Sequence, residues 1–152
     1  MTYDARQIAN WFVRRANQDG RVLSIMSLLK LSYIAQGWHL EIYDRPLFHN
    51  RIEAWQYGPV IPDVYAAFRK QGIKPTKVLE NYSGVLDSDC ERFLEQIYKI
   101  YGDMPPMRLS KLTHVAGGPW DSSIKFGGIY SEIPNELIKR HYVEKREIAN
   151  AS

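Results

Sequence analysis

Apolar residues recur along most of this chain at three- and four-residue spacing, the period of a helix face. Ile8, Trp11, Phe12 and Ala16 predict a first helix over 4–18, ended by the turn-forming run Asn17-Gln18-Asp19-Gly20. Over 26–43, Leu28, Leu31, Ala35 and Trp38 form one stripe and Met26, Leu29, Tyr33, Ile34 and Leu40 a second. A helix apolar nearly all round belongs at the centre of a domain. Lys30 and Gln36 are its polar exceptions.

Asp44-Arg45-Pro46 breaks the pattern. The stretches 46–48 and 52–56 predict two short extended pieces, paired as a hairpin around His49-Asn50-Arg51. Tyr57-Gly58-Pro59 reads as a loop, and Pro62 opens a helix carrying Val64, Tyr65 and Phe68 that stops at Gly72. Residues 73–86 are irregular. Ser88-x-x-Glu91 has the form of a capping box, and a helix with Phe93, Leu94, Ile97, Ile100 and Tyr101 on one face follows to about Tyr101. A short helix over 108–116 ends at Gly117-Gly118, Pro119-Trp120 makes a turn, and Gly127-Gly128 marks another loop. Ser131 caps the last helix, Pro134 lies in its first turn, and the tail over 148–152 frays. The expectation is a mainly α, compact single domain over 1–152, with five to seven helices and a small two-stranded β ribbon.

Composition narrows the function. With 152 residues, 45% of them hydrophobic, the chain is long enough for one complete core. The single cysteine, Cys90, excludes a disulfide scaffold or a cysteine-based zinc site, and on its helix it reads as a small buried apolar residue. No apolar run approaches a membrane span, and the N-terminus has no leader-like apolar stretch, so a cytoplasmic protein is expected. The net charge is +3, with both signs interspersed. The basic group Lys139, Arg140, Lys145 and Arg146, interrupted by Glu144 and Glu147, reads as a solvated helix face, with a phosphate-binding strip as the second reading.

Catalytic patterns are missing. Neither a phosphate-binding glycine loop nor a nucleophile elbow occurs, and His39, His49, His114 and His141 are scattered without metal-ligand spacing. No catalytic residue, metal or cofactor is therefore expected, and the chain is not expected to be an enzyme. A pocket joining His114 to a carboxylate such as Asp121 would argue the contrary. Two segments call for explanation: Ile52–Val60, with Trp55, Tyr57, Gly58 and Pro59, and Leu109–His114 followed by Gly118-Pro119-Trp120. Large aromatics at loops suit a partner surface, because they give much contact area for little lost entropy. The same residues would also serve to seal a core where loops cross it, and both readings stand.

Four blocks occur in order: Leu28–Trp38 (LLKLSYIAQGW), Pro46-Leu47-Phe48, Ile52–Tyr65 (IEAWQYGPVIPDVY), and Leu109–His114 with Pro119-Trp120. In these the chain resembles the Panacea domain of the SocA-like antitoxin family, often described as phage-associated GepA-like proteins. The resemblance spans roughly 5–142. Ser32 stands where the family pattern leads one to expect Lys or Gln. The resemblance implies a mainly helical fold and an antitoxin of a bacterial or phage-borne toxin–antitoxin system, which neutralises a cognate toxin by binding it as a protein. In the founding branch it also implies a proteolytic adaptor that presents the toxin to ClpXP. Many members carry a DNA-binding segment ahead of this domain, whereas this sequence starts at the first helix, which argues against autoregulation through DNA. Nucleic acid is not the expected partner, and a nucleic-acid-binding regulator from a mobile element is the alternative reading, motivated by the modest positive charge and compact helices. The residues expected to contact the toxin are Trp55, Tyr57, Pro59, His114 and Trp120, with a free edge of the ribbon available to a toxin strand.

Overall fold

The computed structural model describes residues 2–151. The chain folds into seven helices and one two-stranded antiparallel sheet among those residues. Helix α1 (Ala5–Gln18) begins at a capping box, in which the Asp4 carboxylate accepts the Arg6 N–H at 2.9 Å and the Gln7 side chain accepts the Asp4 N–H at 3.0 Å. Helix α2 (Ile25–Tyr43) starts at Ser24, whose Oγ accepts the Ser27 N–H. It ends at Asp44 in a left-handed conformation (φ 56°).

Helix α2 is the centre of the molecule, as its all-round apolar pattern predicts. It packs against α1, α3 (Pro62–Phe68), α4 (Ser88–Tyr101), α5 (Pro106–Thr113) and α7 (Asn135–Ala151). Leu28, Leu31, Ile34 and Ala35 are fully enclosed, together with Ile8 and Phe12 of α1 and Leu94 of α4. Helix α7 lies along α2 with the Tyr142 ring edge-on to Trp38, at 4.8 Å between centroids. Two ion pairs, Lys139–Asp44 and Arg146–Glu41, bracket this contact. They engage half of the basic group read from the sequence, which weakens its case as a phosphate strip. Among the described residues no helix is long and apolar enough to cross a membrane.

The ribbon is real but lies further along the chain than expected. Strand β1 (Glu53–Trp55) pairs with β2 (Gly58–Val60), in the register Glu53 to Val60 and Trp55 to Gly58, so the turn is Gln56-Tyr57 rather than 49–51. Residues 46–48 join Tyr3 instead: the Tyr3 N–H donates to the Leu47 carbonyl, and the His49 N–H to that of Tyr3. No edge of the ribbon is open. The outer side of β1 is taken by residues 130–133, through Ala54 N–H to Ser131 O (2.8 Å) and Tyr130 N–H to Ala54 O (2.7 Å). Strand β2 is buried against α2 and α5. Addition of a toxin strand therefore has no place to occur.

Other boundaries also move. The N-cap of α4 is Asp87, accepting the Cys90 N–H at 2.8 Å, and Ser88 is already helical. Helices α5 and α6 (Pro119–Gly127) each open on a proline, so Pro119-Trp120 starts a helix instead of making a turn. Ser131 does not cap α7. Its hydroxyl donates to the Ser123 carbonyl, and Pro134 precedes the helix, its carbonyl accepting from Leu137 and Ile138. Helix α7 continues through 148–151, the stretch expected to fray, where Ala149 and Asn150 border a groove on α2 and α4. Residue 152 lies outside the described residues. Cys90 is buried, and desolvation with nearby Asp87 and Glu91 pushes its thiol up to about 12, which makes it inert.

Candidate functional site

The β1–β2 turn, the C-terminal end of α5 and the N-terminal end of α6 meet at one corner. All five residues singled out in the sequence converge there. The indole N–H of Trp120 donates to the Trp55 carbonyl at 2.7 Å. The His114 ring packs on Trp120 with centroids 4.2 Å apart, and His114 Nδ1 lies 2.6 Å from the Ser110 carbonyl. Ser110 Oγ in turn donates to the Tyr57 carbonyl at 3.4 Å, which ties the turn to α5. Trp55 stacks edge-on against Tyr65 of α3 and Tyr130, and its indole N–H donates to Glu53 at 3.0 Å.

Beneath this corner lies Lys30, which the sequence marked only as a polar exception on α2. It is 2% exposed, and its ammonium donates to the Pro59 carbonyl at 3.1 Å. Burial pulls its pKa down from 10.5 to about 8, with no carboxylate among the causes to offset the desolvation. The approach depends on Gly58, whose φ of +121° and lack of a side chain leave the space. A Cβ there would stand 2.8 Å from Lys30 Nζ and 3.0 Å from His114 Cε1. Lys30 was the residue sequence reasoning missed. Its signal was its place inside the first of the four blocks.

The five residues differ in what they can present. Tyr57, at 66% exposed, points into solvent at the turn. Trp55, His114 and Trp120 are half-buried. Pro59 is buried, and its carbonyl is engaged by Lys30. The expectation that Pro59 offers contact surface is therefore corrected: it seats the turn. Exposed Tyr130 extends the aromatic surface beyond Trp55.

The acid–base pair that would have argued for an enzyme is not formed. Asp121 accepts the Gly117 N–H at 2.8 Å and pairs with Lys125 at 3.0 Å; these contacts hold its carboxyl below the usual range. The hydrogen bonds of His114 go to Ser110 instead. Among the described residues no group of three His, Cys, Asp or Glu side chains is arranged to hold a metal ion. A groove of about 780 Å³ lies elsewhere, between α2, α4 and the end of α7, floored by Trp38, Ile42, Phe93 and Tyr101, and none of the five residues lines it.

Residues 28–121 match the family described as "Antitoxin SocA-like, Panacea domain". That span holds all five site residues and Lys30. The chain is also similar to Antitoxin SocA of Caulobacter vibrioides (strain NA1000 / CB15N), at 33% identity over 129 residues, covering 78% of this chain and 69% of that protein. No solved structure matches it. The convergence of blocks distant in sequence on one corner gives the match a structural basis: the chain belongs to the SocA-like antitoxin family, with its Panacea domain.

Proposed function

We propose that this protein is an antitoxin that neutralises a cognate toxin by direct protein–protein binding, through the corner formed by Trp55, Tyr57, His114 and Trp120. The observation that carries this reading is the exposed Tyr57, held by family-motif residues on a turn that α2 and α5 lock in place. An exposed aromatic on an anchored turn, at the same corner as the half-buried Trp55, His114 and Trp120, suits a binding hot spot. The chemistry there is recognition, not catalysis: the polar groups serve backbone carbonyls and one another. Delivery of the toxin to ClpXP is the finer form of the proposal, and it rests on the resemblance to the founding branch of the family.

The test is co-expression. The product of the neighbouring gene is induced in a bacterial host with and without this chain. Growth arrest by the neighbour alone, with rescue and co-purification when both are present, supports the reading. Rescue without a physical complex, or a harmless neighbour, overturns it. Toxin levels compared in hosts with and without ClpXP then separate an adaptor from plain sequestration.

A further inference from the structure

Between Asp63 and Glu80 the chain carries no carboxylate, and within that stretch Arg69, Lys70, Lys74 and Lys77 fall close together. These four charges exceed the +3 net charge of the whole chain. All four side chains are exposed, and among the described residues none of them has a carboxylate partner. The basic group on α7 differs, since Lys139 and Arg146 are engaged by Asp44 and Glu41 at the end of α2.

The loop that bears these cations is built. The Gln71 side chain accepts the N–H groups of Thr76 and Lys77, at 3.1 and 2.9 Å, and donates to the Lys77 carbonyl at 2.8 Å. Asn17 of α1 donates to the Thr76 carbonyl, and the Ile25 N–H at the start of α2 donates to that of Ile73, each at 2.8 Å. Pro75 is buried under the loop. Gly72, at φ +88°, makes the bend that opens it. At the middle of the four charges stands Ile73, 77% exposed. A loop whose backbone is already organised loses less entropy on binding than a disordered one.

We propose that residues 69–77 form a second docking site, which takes an acidic, extended segment of a protein partner, with its carboxylates on Arg69, Lys70, Lys74 and Lys77 and an apolar side chain on Ile73. The pattern of an apolar centre inside a charged rim is that of a protein interface. A nucleic acid would place phosphates on the cations but leave Ile73 without a complement, and no aromatic residue lies within the loop for a base to stack on. The inference does not depend on the aromatic corner binding anything, since it rests on Arg69, Lys70, Ile73, Lys74 and Lys77, none of which belongs to that corner.

The probe is a short fluorescein-labelled peptide of glutamates around a central leucine, titrated with the full chain and followed by anisotropy. An all-glutamine analogue and a labelled DNA duplex serve as comparators. The glutamate peptide is expected to bind, and to bind more tightly as salt falls. Joint reversal of Arg69, Lys70, Lys74 and Lys77 to Glu is expected to weaken it at least about tenfold, and Ile73→Ser about fivefold. Reversal of Lys139, Arg140, Lys145 and Arg146 should leave it unchanged. Circular dichroism melts show whether each variant is folded, and single Lys74→Gln and Lys77→Gln variants give a graded loss if the fourfold reversal unfolds. Four results would overturn the proposal: no binding of the peptide, equal binding of the glutamine analogue, equal loss from the α7 reversal, or tighter binding of the duplex that disappears with the loop charges.

Discussion

Lys30 Nζ, on the central helix, donates to the Pro59 carbonyl at 3.1 Å, so the turn that carries Tyr57 rests on a buried ammonium. That ammonium makes stability depend on pH in a definite direction. The pKa of Lys30 falls from 10.5 in the unfolded chain to about 8 in the folded one, so below pH 8 the native state bears the full cost of a desolvated charge. As pH rises from 8 to 10.5 the unfolded chain binds the extra proton, and the cost is relieved. Lys30→Met removes both the charge and this dependence. Relative to the Met variant, the native protein should gain on the order of 3 kcal/mol between pH 7 and pH 10.5. Urea denaturation of both proteins at the two pH values measures this, and a pH-independent difference would show the ammonium to be solvated.

Gly37 sits in the middle of α2, where glycine costs about 1 kcal/mol relative to alanine in an exposed helix. Propensity therefore predicts that Gly37→Ala stabilises. The packing predicts the reverse, because a Cβ there would enter the Tyr142 ring of α7. We expect Gly37→Ala to cost about 2–3 kcal/mol. Adding Tyr142→Leu should recover part of the loss, since a smaller side chain vacates the space. Thermal melts of the single and double variants decide it, and an alanine variant as stable as the native protein would refute the close approach of α7.

These two residues also show where the sequence was legible and where it was not. The frame could be read because α1 keeps its apolar residues on one face and α2 is apolar all round, patterns that local periodicity reports. Lys30 reads only as a polar exception to that periodicity, and Gly37 carries no signal in it. Their roles arise from what the fold brings against them, Gly58 and Tyr142, which lie far away in the chain. The ribbon was displaced because Pro59 inside a strand reads as a loop, and because a strand of three residues carries too short a pattern to register. The aromatic members of the corner were visible in two odd segments. The buried side of Pro59 was not, since exposure of a turn proline depends on what packs beneath it. The basic loop has no such signature, because turn residues dominate 73–86 and its charges begin on the preceding helical turn, at Arg69.

At the other end of the pH range, Asp4 is an acid-sensitive group. Its hydrogen bonds to the Arg6 side chain, with further help from the Arg6 N–H, bring its carboxyl from 3.8 down to about 2. Stability from this lowered pKa is complete above pH 3.8 and is lost as pH falls through about 2. Asp4→Ala removes the N-cap of α1 and should cost about 1–2 kcal/mol at pH 7. The gap between variant and native protein should close on going from pH 4 to pH 2. A gap that persists at pH 2 would mean that Asp4 acts through shape rather than charge.

Tyr57 and Trp120 separate binding from folding at the aromatic corner. Trp120 is half-buried, and its indole N–H holds the Trp55 carbonyl, so Trp120→Phe should cost about 1 kcal/mol of stability through the lost hydrogen bond. Tyr57 projects from the turn with only its backbone carbonyl engaged by Ser110. Tyr57→Ala should therefore leave stability within about 0.5 kcal/mol. If the corner is the toxin contact, the same substitution removes an exposed anchor and should weaken the complex by about 2 kcal/mol, roughly thirtyfold in Kd. Calorimetric titration with the purified toxin, beside a thermal melt of each variant, gives both numbers. Should Tyr57→Ala bind as tightly as the native protein while Trp120→Phe loses stability and affinity together, the motif aromatics serve the fold and the toxin docks on another face.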